Sequence, residues 1–485
     1  MPYVQVVDFR GGLDRRKSIV TLQAGALWVG DNVVLTRGNE IEKRRAFAAT
    51  ITLPPGTVGL ATTATNVYVF GSGGNPGVGG GVIYQQLTPP AGVVVSLEDY
   101  DLFNGRIYAV IHSSDGKTYH FYDGVLVTSW VEPAGRDARN GPVNYLSPNP
   151  RASAANRGSP VLTLGNRMYA GFGRLLFLSA LGHPDFWTPG DTGRPGAAIV
   201  ELSNQSGTGE DIVGLAVYQG NLAVFMRDTI QIWRVDPDPT KLQLLQVLSN
   251  IGALAPRSVM SFGDSDVFFL SDTGLRSLRA RDSSNNAITS DIGTPIDLLL
   301  HQLREQFPNE TQNARSMIEP DSGRYWLSIE KQIYVFTFFP GSKVSAWTRL
   351  LSDVAFTDME TLGDVAILRS GDVLYTYDNS AGAYGSDYMC EVTLPMMDAG
   401  DPSTFKNLEG FDIVCYGSWA ARLGTDAANP DSRELIATID KPSYGMERIA
   451  VTGYGTHFGL NLRHQAAGPA MLASLLLHFA RGEND

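Results

Sequence analysis

The chain has 485 residues, 43% of them hydrophobic and only 18% charged, which excludes a disordered or low-complexity protein and gives ample material for a core. Its formal net charge of −12 argues against a generic nucleic-acid-binding surface. The charge is uneven: the first 50 residues hold eight Lys/Arg against five acids, and the remainder is strongly acidic. With 52 glycines, 19 tyrosines and 21 phenylalanines, the composition suits many short strands joined by tight turns.

In chain order, residues 1–55 read as two or three strands, with Leu27–Val29 and Asn32–Leu35 apolar and Arg37–Asn39 a turn feeding Glu40–Arg45. Paired prolines at Pro54 and Pro55 cannot sit inside a sheet and mark a boundary. From residue 56 to 399 one unit recurs about seven times: an apolar run, a polar turn, an alternating aromatic and β-branched run, a second turn, a third run. The clearest copy runs Val213–Gly220, Asn221–Met226 and Thr229–Trp233; others begin near Gly59, Asn104, Val161, Val259, Met317 and Leu362. Their spacing lies around the ~40–50 residues of β-propeller blades, which cover one another's faces when stacked radially. Gly71–Gly81 is a glycine-rich loop, and residues 132–160, rich in Pro, Asn, Gly and Ala, form an irregular insertion.

One helix is predicted near 295–306. Thr294 would cap it, Pro295 would take the first position, and Ile296, Leu299, Leu300, Leu303 and Phe307 form its apolar stripe against a blade. After Asp401 the layout changes to short strands at Phe411–Tyr416, Leu435–Ile439, Glu447–Val451 and Leu475–Phe479. The expected organisation is all-β: a propeller-like domain over 56–399, and a β-sandwich-like platform built from 1–55 and 400–485.

No strong chemical motif is present: no phosphate-binding Gly-x-x-x-x-Gly-Lys-Ser/Thr, no His-Glu-x-x-His, no Gly-x-Ser-x-Gly. The seven histidines have no metal-ligand spacing, and Asp236 and Asp238, set between prolines, lack the other ligands of a calcium loop. Cys390 and Cys415 lie in apolar strands and read as buried thiols rather than a disulfide or zinc site. Glu98, Asp99 and Asp101 gather three acids, which would serve a glycosidase only if two lay across a cleft. Ser271–Gly274 resembles the aspartate box of sialidase-type propellers and reads as a hairpin turn in which Asp272 bonds local backbone N–H groups. The expectation is no catalytic residue, no metal and no cofactor. The N-terminus has no signal pattern, and Ala470–Ala480 is too short for a membrane span.

Several blocks occur in an order that resembles the tail nozzle (tail tube or hub) proteins of short-tailed bacteriophages. They are Asp8–Asp14, Leu27 with Asp31–Val33, Glu42–Phe47, Leu176–Trp187, Ile251–Val259 and Val267–Leu275. The resemblance spans residues 8 to about 280; the last 200 or so match only in general character. It implies a structural virion subunit made in the host cytoplasm: a propeller ring, usually a hexamer, hung below the portal and adaptor. DNA would pass the ring's channel without sequence-specific binding, and fibres or tip proteins would dock outside. The family role carries no catalytic residues. The basic N-terminal segment, with Arg10, Arg15 and Arg16 near one turn and Lys43, Arg44 and Arg45 after another, is the expected docking patch for an acidic partner. Alternative readings are a propeller acting on glycans and a peptide-binding propeller scaffold.

Overall fold

The computed structural model describes residues 3–74, 77–115, 118–122, 160–202 (without 185, 188, 190–192 and 194), 209–263, 266–280, 287–377 and 384–481. The insertion expected over 132–160 lies outside the described residues, apart from Pro160.

The chain is all-β, and seven blades can be traced among the described residues. Blade 1 comprises Thr57–Thr62, Val67–Gly71 and Val82–Gln86; blade 2 comprises Val95–Phe103, Arg106–Ser113 and Thr118–Tyr122. Blades 3, 4 and 5 are four-stranded meanders beginning at Val161, Gly214 and Met260, and blade 6 runs from Arg315 to Leu351. Blade 7 has Asp358–Leu362, Val365–Ser370 and Val373–Tyr377, and its outer strand is Ala48–Thr52, from before blade 1. The first strands of the blades touch one another in order, and that of blade 7 touches that of blade 1, so the ring is closed. Blades 1 and 2 pack closely at Gly59, where a Cβ would lie 2.1 Å from that of Leu97.

Period-2 alternation explains the radial stacking. In Asp266–Ser271 of blade 5, Val267 and Phe269 pack with Phe225 and Ile232 of blade 4, while Phe268 and Leu270 pack with Tyr325 and Leu327 of blade 6. Every pair of adjacent blades shares such an apolar cluster, including blades 7 and 1 through Ile367, Leu374, Leu60 and Val69. Each fully buried Leu or Phe contributes about 1.5–3 kcal/mol. Both faces of a blade must therefore be apolar, which is why these strands read as unbroken hydrophobic runs.

Blade 1 departs from the meander. Val82–Gln86 runs parallel to Val67–Gly71, so the glycine-rich segment between them is a crossover rather than a hairpin loop. The helix α1 spans Asp297–Gln306 and starts two residues later than expected, with Ile296 at the cap and no side-chain cap bond. Its Leu299, Leu300 and Leu303 fill the space between blades 5 and 6. A short second helix, α2, follows at Pro308–Gln312.

Beyond blade 6 its sheet continues into the platform. Val344–Leu351 meets Val29–Asp31, followed by Cys390–Thr393, Gly459–His464, Lys406–Gly424, Met471–Arg481, Ile41–Lys43 and Val33–Leu35. Tyr3–Val6 pairs with Met471–Arg481, placing Val6 opposite Leu475, and Glu434–Gly455 forms an open edge on Lys406–Gly424. One core joins the two ends of the chain, with Phe9, Leu27, Leu35, Phe411, Trp419 and Leu477 in it. Two boundaries differ from those drawn at 55/56 and 399/400. Ala48–Thr52 belongs to the propeller, and Cys390–Thr393 belongs to the platform. The Pro54–Pro55 break ends a strand but says nothing about which sheet that strand joins.

Candidate functional site

The axis of the propeller holds the densest set of buried charges. It starts with Val95–Phe103, the first strand of blade 2. Asp99 and Asp101, two apart, point to the same side, where their carboxylates accept the backbone N–H of Val161 at 2.8 Å and of Thr163 at 2.5 Å. The spacing of the acids matches that of the amides, so blades 2 and 3 are stapled where no ladder joins them. Tyr100 points the other way: its hydroxyl donates to Glu360 of blade 7 and receives the Thr62 N–H of blade 1.

Arg257 crosses from the turn before blade 5. It donates Nε to the Glu98 carbonyl at 2.6 Å, Nη2 to the Leu97 carbonyl at 3.1 Å and Nη1 to Asp358 Oδ1 at 2.9 Å. Asp358 is buried and also accepts Arg369 Nε at 2.6 Å, with Arg315 Nη1 3.7 Å away. One carboxylate thus gathers three arginines from blades 5, 6 and 7. Burial works against the charge on Arg257, yet Asp358 and Asp99 hold its guanidinium above its ordinary value. Burial pushes the Asp99 carboxyl up to about 6 and Glu360 up to about 8, so Glu360 carries its proton at neutral pH.

The cluster divides the axis into two cavities. One, of about 700 Å³, is lined by Tyr100, Asp101, Leu215, Met260 and Glu360; the other, of about 450 Å³, by Glu98, His112, Asn313 and Arg315. Such volumes suit a small ligand. Between the two cavities Arg257 spans the axis, from blade 5 to carbonyls of blade 2 and to Asp358 of blade 7. The carboxylates are spent on neighbouring blades: Asp99 and Asp101 on amides, Asp358 on arginines, Glu360 on Tyr100. Glu98, expected among the three acids, sits at a bulge and offers Arg257 its carbonyl.

The residues expected to dock a partner are placed differently from the expectation. Lys43 is buried, its Nζ donating to the carbonyls of Gly385 at 2.7 Å and Ala466 at 2.8 Å. Arg44 is buried between Tyr388 and Phe47 and donates to Asn32 Oδ1 and the Leu351 carbonyl. Neither can meet a partner: the carbonyl-lined interior of the platform satisfies both cations, and burial lowers the pKa of each. Arg45 lies 3.7 Å from Asp321. Arg10 and Arg16 are half-exposed but each pairs with the aspartate two residues before it, at 2.5 Å to Asp8 and 2.6 Å to Asp14. Arg15 stacks 3.7 Å over Trp28. The six therefore form no single exposed basic patch.

Asp272 also departs from expectation. Its carboxylate pairs with Arg227 at 2.7 Å and Arg304 at 3.0 Å, while Ser271 makes the local turn bonds. Cys390 and Cys415 are buried free thiols, with burial raising them to about 12 and about 11. Among the described residues no group of three or more His, Cys, Asp or Glu could hold a metal ion, and no helix is long and apolar enough to cross a membrane. The axial partners Arg257, Arg315, Asp358 and Glu360 escape sequence reading. One signal was available: Asp358 and Glu360 repeat, at the start of blade 7, the two-apart acids of Asp99 and Asp101.

No family model matches the chain, and no curated protein matches it. Among solved structures, it is similar to Chaetomium thermophilum Raptor at 15% identity, covering 69% of this chain and 29% of that one, with a TM-score of 0.36. It is similar to the Cps50 (Swd1) β-propeller domain of Myceliophthora thermophila at 8% identity, over 69% of this chain and 99% of that one, TM-score 0.41. PorZ, of the Porphyromonas gingivalis type-IX secretion system, matches at 13% identity over 74% of this chain and 43% of its own, TM-score 0.32. The chain thus spans less than half of Raptor and of PorZ.

Proposed function

We propose that the chain is a structural assembly subunit, a member of a ring-shaped tail nozzle that carries the DNA channel of a short-tailed bacteriophage below its portal and adaptor. The observation that carries the structural reading is the distribution of exposed apolar side chains. Among the described residues, six of the eleven large exposed apolar side chains, Tyr3, Val7, Phe405, Leu435, Met446 and Tyr454, belong to the smaller platform, while Val94, Ile199, Leu245, Leu298 and Phe338 are spread over the propeller. Large exposed apolar side chains concentrated on one domain mark a surface that meets other proteins. Phe405 and Tyr454 stack with ring centroids 5.0 Å apart, and Glu434–Gly455 leaves one backbone edge open. The charged side chains that span the axis support a role in which any DNA passes between copies of the chain rather than through one propeller. The nozzle assignment itself rests on the ordered blocks from Asp8 to Leu275.

Native mass measurement and negative-stain imaging of the purified protein test this. The expected result is a closed ring, of six copies by resemblance, formed alone or on addition of adaptor. A monomer at every concentration, with peptide captured in the 700 Å³ axial cavity, would move the assignment to a propeller scaffold. Turnover of a glycan abolished by Glu360→Gln would move it to an enzyme.

A further inference from the structure

A second set of charges lies on the platform, away from the propeller axis. Strand register builds it. Arg463 faces Glu391, Glu391 faces Asp31, and Asp31 faces Arg349, so four charged residues stand in one row across four strands. In the next row on the same side, Arg422 faces Asn461, which faces Thr393. Arg433, from beyond the hairpin tip, lies over Gly424, where a Cβ would come within 3.1 Å of its Cγ. Arg15 reaches the other end, near Asp31 and Arg349.

The acids in this band are already used. Asp31 takes Arg349 in a two-pronged pair, both bonds 2.8 Å, and Glu391 takes Arg463 at 3.0 Å and Asn461 at 2.7 Å. Asp431 is the remaining acid near Arg15 and Arg433. Among the described residues five arginines stand against three acids, a local excess of two positive charges on a chain of net charge −12. Donors are also left over. Nε of Arg15, Arg422, Arg433 and Arg463, and Nη2 of Arg433, are buried without a hydrogen-bond partner. Burial lowers the pKa of both Arg15 and Arg433, as expected of cations that lack full compensation.

We propose that this band is an oxyanion site that takes one dianionic phosphate group, with Arg422, Arg433 and Arg463 as its principal donors. Guanidinium forks suit tetrahedral oxyanions, and each charge-assisted bond is stronger than a neutral one. The excess of two charges matches a phosphate dianion rather than a single carboxylate. This goes beyond the assembly reading and does not depend on it.

The test is isothermal titration of the full chain with inorganic phosphate at pH 8, where the dianion dominates. One saturable site per chain is expected. Arg433→Gln and Arg422→Gln should each weaken it about ten-fold, the loss expected from one charge-assisted bond, while Arg10→Gln leaves it unchanged. Circular dichroism checks folding, and if Arg433→Gln does not fold, Arg422→Gln decides. Absence of saturable heat, equal affinity in all variants, or displacement of phosphate by stoichiometric duplex DNA or poly-glutamate would each overturn the assignment.

Discussion

Asp358→Asn is the sharpest test of the axial cluster. The substitution keeps size and an acceptor oxygen but removes the charge shared by Arg257, Arg315 and Arg369, whose side chains are only 18%, 19% and 7% exposed. Arg369 keeps the carbonyls of Thr57 and Gly371, and Arg257 keeps those of Leu97 and Glu98, so the hydrogen bonds are partly retained. The counter-charge is not. Leaving buried cations without their partner costs about 3–5 kcal/mol, against at most about 1 kcal/mol for a solvent-screened surface pair. Since the cluster bridges blades 2, 5, 6 and 7, the whole ring should loosen rather than one blade. Urea unfolding followed by tryptophan fluorescence should show the loss, and hydrogen exchange should rise in the first strands of all four blades. A change under about 1 kcal/mol would mean that water reaches the cluster and that the axis is not closed by charge.

Stability should fall as pH rises from about 5 to about 8, because the folded state holds protons on Asp99 and Glu360 that the unfolded chain releases earlier; Glu360→Gln should flatten the upper part of that slope in melts taken at several pH values. Gly274→Ala should destabilise by about 1–3 kcal/mol, because φ is +120° there and a Cβ would lie 2.0 Å from Asp297 Oδ1; denaturation of the variant measures it. Arg44→Glu should fail to fold or lose at least about 3–5 kcal/mol, since it places a carboxylate among carbonyls and Tyr388; circular dichroism and solubility report it, and a stable, soluble variant would place Arg44 at the surface.

The blades were legible because both faces of each are apolar. Runs such as Val267–Leu270 and Leu222–Phe225 can be nothing but buried strands or buried helix, and the turns between them exclude helix. Partner choice was not legible. Nothing local in Ala48–Thr52 says that it pairs with Val373–Thr376, more than 300 residues away. Charge was also misleading. Lys43 and Arg44 look like surface residues in a basic run, but carbonyls contributed by Gly385, Ala466 and Leu351 make their burial tolerable. The same limit hid the axial site, whose members come from four blades far apart in sequence, three of them from blade 2 and three from blade 7. It also hid the arginine band, assembled by strand register from residues 15 to 463.

The outer strand of blade 7 has a consequence for how the protein is made. The strand that Ala48–Thr52 needs, Val373–Tyr377, leaves the ribosome some 320 residues after it. Tyr3–Val6 waits still longer for Leu475–His478. At about 5–20 residues per second, these two segments stay unpaired for tens of seconds. Blades 2 to 5 can stack as they appear, but the ring cannot shut before Val373–Tyr377 is made, nor the platform before Leu475–His478. A nascent chain therefore carries open strand edges throughout, and a truncation before residue 373 would leave the ring permanently ajar and prone to pair with its neighbours.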